Sequence, residues 1–253
     1  MLSRRLVVCL DVDGNRVMKG VGFESLRDVG DPVDLAVRYE TEGADEIVFL
    51  DISATSDGRT TVLDVARRTA ERLFIPLTIG GGVRSVDDVA RLLRAGADKV
   101  TINSAAVADP LLITQCAERF GSQCVVASID ARTEGKDWIV YTNGGRQRTR
   151  LEAVSWAREC VDRGAGEILL TSIARDGTRR GYDIELTRSV VQSVTVPVIA
   201  SGGAGCASHV VDVISVAGAE AALVAGILHD RLTSIGEIKR AMVLAGIATR
   251  NAA

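Results

Sequence analysis

The chain repeats itself at long range. The segment "GADEIVFLDISATSDGR" (43–59) matches "GAGEILLTSIARDGTRRG" (164–181). Likewise "IPLTIGGGV" (75–83) matches "VPVIASGGA" (196–204), and "AGADKVTIN" (95–103) matches "AGAEAALVA" (217–225). Every pair is offset by about 120 residues, so the fold must divide into two similar halves, approximately 1–120 and 121–253.

Short apolar runs give eight candidate strands: 5–11, 46–51, 76–80, 99–103, 124–130, 167–172, 197–201 and 221–225. Continuous Val/Ile/Leu runs without clean alternation fit parallel strands covered by helices. Helix starts are signalled between them by Asp31-Pro32, Asp109-Pro110, Ser85 with Asp88, and Ser234 with Glu237. Gly43, Gly96, Gly121, Gly164, Gly218 and Gly246 mark helix exits. Eight βα units in 253 residues favour a single α/β domain, a (β/α)8 TIM barrel made of two half-barrels, over a doubly wound sheet. Aromatics are only 4% of the chain, so aliphatic side chains must fill the core.

Bulk properties narrow the function. A net charge of −3 does not fit a general nucleic-acid binder. No apolar run is long enough to span a membrane, and Asp11 and Asp13 interrupt any signal-peptide core. The five cysteines form no C-x-x-C pair, which fits a reducing cytoplasm. With only two histidines besides, neither a metal site nor a cofactor motif is expected.

In such a barrel the strand C-termini and following loops form the active face. Asp11, Asp51, Asn103, Asp130, Thr171 and Ser201 fall at strand ends, with Asp176 just beyond. A lone strand-end aspartate commonly caps a helix or holds a turn. Two at equivalent positions of a duplicated barrel, Asp11 and Asp130, fit an opposed general acid/base pair. Glycine clusters mark anion sites: "GGG" (80–82) with Asn103-Ser104 in one half, "SGGAG" (201–205) with "AGI" (225–227) in the other. "RDGT" (175–178) is placed to join the second. Two facing cradles suit a substrate with a phosphate at each end.

Residues 13–30 read as a long loop carrying Gly14, Gly20, Gly22, Gly30, Lys19 and Arg27, either a mobile lid over a charged substrate or an ordinary surface loop. Residues 135–147 read as a β-hairpin turning at Asn143-Gly144. At the opposite end of the strands stand Arg5, Glu46, Lys99 and Glu167. They are either solvated strand-start charges or, by alternation from Asp11, an inward-facing charged ring across the barrel floor.

Together "CLDV", "GFESLRDVGDPVDLA", "IGGGVRSVDD", "GADKVTINSAAV", "GAGEILLTSIARDGTRRGYD" and "IASGGAG" closely resemble the histidine-biosynthesis barrels. Within them the likeness is to the cyclase subunit of imidazole glycerol phosphate synthase. The resemblance implies a bisphosphate substrate, phosphoribulosyl-formimino-aminoimidazole carboxamide ribotide. With ammonia it yields imidazole glycerol phosphate and aminoimidazole carboxamide ribotide. It implies Asp11 and Asp130 as the catalytic pair and Lys19 in the mobile loop. Gly82, Asn103 and Ser104 map to one phosphate site; Gly177, Gly203, Ala225 and Gly226 map to the other. Thr171, Asp176 and Ser201 complete the substrate-binding set. Arg5, Glu46, Lys99 and Glu167 match a gate for ammonia from a partner glutaminase docked at the N-terminal face of the barrel, with Thr78 on the path. Two positions depart from the pattern: Ala174 replaces an aspartate, and Gly226 stands where serine is common. The sister isomerase of the pathway is the nearest alternative; it uses no ammonia and has no need of a charged floor. A barrel that only binds and regulates the glutaminase would not require both acids and both cradles.

Overall fold

The computed structural model describes residues 3–21, 24–52 and 56–250. Its strands are β1 (Arg5–Asp13), β2 (Arg16–Val21), β3 (Glu24–Gly30), β4 (Glu46–Asp51), β5 (Leu77–Gly80), β6 (Lys99–Ile102), β7 (Val125–Glu134), β8 (Asp137–Thr142), β9 (Gln147–Glu152), β10 (Glu167–Ser172), β11 (Val198–Ser201) and β12 (Ala221–Val224). Its α-helices are α1 (Pro32–Thr41), α2 (Ser56–Ala70), α3 (Val86–Arg94), α4 (Ser104–Ala108), α5 (Leu111–Phe120), α6 (Ala153–Asp162), α7 (Ile184–Val191), α8 (Ala207–Ser215), α9 (Gly226–His229) and α10 (Ile235–Leu244).

Eight strands pair in parallel in the order β1-β4-β5-β6-β7-β10-β11-β12, and β12 returns to β1. The sheet is therefore a closed α/β barrel, and each strand predicted from the apolar runs takes its place in it.

Two cores follow from this closure. Outside, the helices bury one stripe each against the strands; in α1 it is Pro32, Val33, Leu35, Ala36 and Tyr39. Inside, Val7, Cys9, Val48, Val126, Leu169, Ile199, Ala221 and Leu223 form a separate apolar girdle around the axis. Each fully buried Val, Leu or Ile contributes about 1.5–3 kcal/mol.

Helix caps fall where expected, with one shift. Asp31 accepts from the N–H groups of Val33 and Asp34, and Ser234 with Glu237 forms a capping box. Asp88 closes its box on the N–H of Arg84 as well as on Ser85. Helix α5 starts one residue late, with Pro110 at the cap, and Asp109 accepts from the N–H of Leu111 at 3.1 Å. The six helix-exit glycines all have φ between 76° and 109°, a conformation that other residues adopt only with strain.

The largest departure is in residues 13–30, whose described residues are mostly strand rather than loop. β1 runs on to Asp13 and turns through β2 and β3 as an antiparallel hairpin, with Asp11 opposite Met18 and Lys19 opposite Arg27. Gly22, counted above among the glycines of this segment, lies outside the described residues. The 135–147 hairpin is likewise part of a larger unit: β7 pairs with β8, and β8 with β9 across a turn at Asn143–Arg146.

Beneath the barrel, Lys239 is buried and donates to Asp45 Oδ1 at 2.7 Å and to the Arg250 carbonyl at 2.8 Å. Asp45 Oδ2 accepts the Leu6 N–H at 2.8 Å. This network ties α10 and the C-terminal segment to the start of β1. Lys239→Met leaves Asp45 buried without its counter-charge and is expected to lower the unfolding free energy by about 3 kcal/mol in urea titrations. A loss below about 0.5 kcal/mol, the range of an ordinary surface change, would contradict this account of the floor.

Candidate functional site

Alternation along the barrel strands carries Asp11 and Asp130 to the mouth of the axis. Neither is a strand terminus, because β1 and β7 both continue past the mouth. Asp11 is held between Leu50 on β4 and Met18 on β2; Asp130 is held between Thr171 on β10 and Tyr141 on β8. The reading of these acids as helix caps is thus excluded by their position inside the sheet.

Burial raises both acids. Desolvation first, and then the charge of Asp176, push Asp11 from 3.8 to about 6. Asp130 is pushed to about 6 mainly by burial, with Asp176 adding to it and the Asn103 amide opposing it. Asn103 Nδ2 donates to Asp130 Oδ2 at 2.9 Å, while its Oδ1 is buried and has no partner among the described residues. Asp176 is also raised by burial, against a bond from the Gly177 N–H.

The two glycine cradles repeat each other in backbone conformation. Gly81 and Gly82 have φ of 92° and 65°; Gly202 and Gly203 have φ of 90° and 103°. Asn103 and Ala225, before α4 and α9, share unusual dihedrals of −120°/−95° and −142°/−84°. A side chain at Gly203 would collide with the Gly181 carbonyl, whereas Gly82 faces open space. Ser104 Oγ accepts the N–H of Asn143 at 3.0 Å, so the β8–β9 turn reaches the first cradle. At Gly226 an added Cβ would lie 3.4 Å from Lys19 Cε; the missing side chain leaves room for that lysine.

The floor charges are not solvated singly. Arg5 donates to Glu46 at 2.6 Å and Glu167 at 2.5 Å; Lys99 donates to Glu46 at 3.1 Å and Glu167 at 2.8 Å. The four make a closed ring, with both carboxylates 6% exposed. Above it Thr78 and Thr101 are buried, and the Thr101 hydroxyl fills the space a side chain at Gly80 would need.

Two groups escaped the reading of the sequence. Tyr39 OH donates to His229 Nδ1 at 2.7 Å, and His229 Nε2–H donates to the Cys9 carbonyl at 3.2 Å. Burial pushes this histidine down to about 4, so it stays neutral and braces the strand two residues below Asp11. Asp230 gathers Lys19, Arg27 and Arg179. Both depend on contacts between segments about 190 or more residues apart, except Arg179–Asp230, and no local pattern marks them.

Because folding raises Asp11 and Asp130, their contribution to stability is fully present below pH 3.8 and lost as pH rises through about 6. A shift of about two units corresponds to about 3 kcal/mol per group. Asp11→Asn and Asp130→Asn are therefore expected to stabilise the fold at pH 8 by about 1–3 kcal/mol each. They should also flatten its loss of stability between pH 4 and about 7. Urea midpoints across that range measure this; variants less stable than the parent at pH 8 would contradict it.

Comparison with known proteins shows the family. The family described as "Histidine biosynthesis protein" matches residues 5–234. The chain is 67% identical over 251 residues, 99% of both chains, to "Imidazole glycerol phosphate synthase subunit HisF" of Myxococcus xanthus (strain DK1622). Among the described residues no helix is long and apolar enough to cross a membrane.

Proposed function

The chain belongs to the histidine biosynthesis protein family, and from that premise we propose how its barrel performs the reaction. Its activity is that of the cyclase subunit of imidazole glycerol phosphate synthase, a lyase of histidine biosynthesis. The single observation that carries the mechanism is the pair of buried carboxyls, Asp11 and Asp130, both raised to about 6 at one barrel mouth.

The phosphoribulosyl-formimino-aminoimidazole carboxamide ribotide spans the mouth, one phosphate in each cradle. Gly82, Asn103 and Ser104 take one end; Gly177, Gly203, Ala225 and Gly226 take the other, with Lys19 over it. This arrangement rests on the two half-barrels, 1–120 and 121–253, each supplying one acid and one cradle; the recurring cradle conformations support it. Fixing both ends positions the reacting middle of the molecule.

Ammonia adds to the ribulosyl ketone, and loss of water gives an imine. Its nitrogen then attacks the formimino carbon, the bond to the carboxamide ribotide amine breaks, and the imidazole ring closes. Protons must be removed and delivered on both sides of the substrate. A carboxyl near 6 exchanges protons at neutral pH far more readily than one at 3.8. The Asn103 N–H favours ionised Asp130, which fits the base; Asp11 fits the acid. Thr171, Asp176 and Ser201 line the same mouth and orient the substrate. The enclosure keeps water from the imine.

Ammonia comes from a partner glutaminase docked at the N-terminal face. The ring of Arg5, Glu46, Lys99 and Glu167 gates its entry, and Thr78 lies on its path. The ring favours this reading over the sister isomerase, which would have no use for it. Exposed apolar side chains on the same face fit a docking surface: Phe74 is 91% exposed and Leu244 88%. The chain acts in the cytoplasm.

With purified chain, the ribotide and ammonium salt, turnover is expected. Asp11→Asn and Asp130→Asn should each lower it by about a thousandfold, within the usual range for loss of one acid/base group. Parental rates in either variant would remove that residue from the mechanism. With glutamine and the glutaminase in place of ammonium, Phe74→Asp should lower turnover about tenfold, about 1.4 kcal/mol of interface. Ammonium-driven turnover should be unchanged; equal loss in both assays would place Phe74 outside the docking surface.

A further inference from the structure

Arg27, Arg179 and Asp230 have no part in the mechanism above, yet they meet at the same mouth. Lys19 and Arg27 are cross-strand neighbours on the β2–β3 hairpin. Arg179 comes from the loop after β10, and Asp230 caps the C-terminal end of α9. All three cations pair with the one carboxylate, Arg27 at 2.7 Å. The Lys19 bond, foremost, holds Asp230 below the ordinary carboxylate range.

A staple between hairpin and barrel needs one cation per carboxylate. Here the formal sum is +2, three positive groups against one negative. The two arginines keep much of their side chains in solvent, 62% for Arg27 and 46% for Arg179. Their remaining N–H groups are therefore open to a further anion. The backbone of Arg179 is held firmly, at φ 59°, with its carbonyl in the space a side chain at Gly205 would need. The cluster also adjoins the second cradle: Lys19 Nζ lies 3.4 Å from the Gly226 carbonyl. A phosphomonoester dianion bound there meets a group of matching, opposite charge.

We propose that Lys19, Arg27 and Arg179 form a clamp for the phosphate held at the second cradle, and that Asp230 is its resident counter-anion, displaced when phosphate binds. This rests on the reading of that cradle as a phosphate site and adds the two arginines and Asp230 to it. Arginine forks suit phosphate oxygens, and a carboxylate already in place keeps three like charges from repelling one another in the empty protein.

Calorimetric titration of the full chain with inorganic phosphate, and separately with glycerol 3-phosphate, tests this. Two sites are expected, and one should respond to the variants. Arg27→Gln and Arg179→Gln should each weaken that site about tenfold, the loss of one charge-assisted bond of about 1.4 kcal/mol. Asp230→Asn should tighten it about fivefold or more by removing the competing anion, the sign opposite to the arginine variants. If Asp230→Asn weakens the site as the arginine variants do, Asp230 merely positions the cations and the proposal is overturned. Unchanged affinity in both arginine variants overturns it as well. Turnover of the ribotide by the parent chain is measured alongside. An inactive parent whose phosphate site responds as stated sinks the assigned reaction and leaves the clamp; an active parent with unresponsive arginine variants does the reverse.

Discussion

Where β7 pairs with β10, an eight-stranded sheet becomes a closed barrel, and alternate residues of every strand must face one axis. Nothing charged can stand on that axis without an answer to its desolvation. At the floor the answer is mutual pairing: each of Glu46 and Glu167 meets both Arg5 and Lys99. In the middle it is avoidance, with Val7, Val48, Val126, Leu169, Ile199 and Leu223 presenting hydrocarbon. At the mouth there is no complete answer, and Asp11 and Asp130 respond by holding protons more tightly.

That unanswered burial connects stability with chemistry. An isolated carboxylate in such a place weakens the fold, and the same strain gives it a proton affinity near neutrality. The sheet keeps both groups still. Of the eight barrel strands, β1 and β7 are the ones that run past the mouth and turn into hairpins, so each aspartate is flanked by a strand on both sides. The backbone around each acid is thereby fixed before any substrate arrives. Residues on mobile loops would not give this precision.

Much of this was legible in the residues. The eight apolar runs located the barrel strands within about one residue at most ends, because buried parallel strands need continuous Val, Ile and Leu. The inward alternation from Arg5 to Asp11 was enough to raise the possibility of a floor ring. Its closure was not decidable there, because solvated strand-start charges have the same spacing. The 13–30 segment was misread for a physical reason. Its glycines and charges break the apolar pattern, and a hairpin outside the barrel needs only scattered apolar residues, such as Val17 and Val29, to pack against the core. Asp230 and His229 were missed because their partners lie on β2, β3, α1 and β1, far away in sequence. The family comparison agrees with the assigned reaction. The roles of the individual residues rest on the geometry.

The central claim is that barrel closure, acting on two carboxyls at the mouth, produces the acid/base pair. Carbon-13 NMR of the side-chain carboxyls, titrated from pH 3 to 9 with Asp11→Asn and Asp130→Asn for assignment, reads it directly. Two midpoints near 6 are predicted for Asp11 and Asp130. Both titrating at about 4, the value of a solvated aspartate, would contradict it.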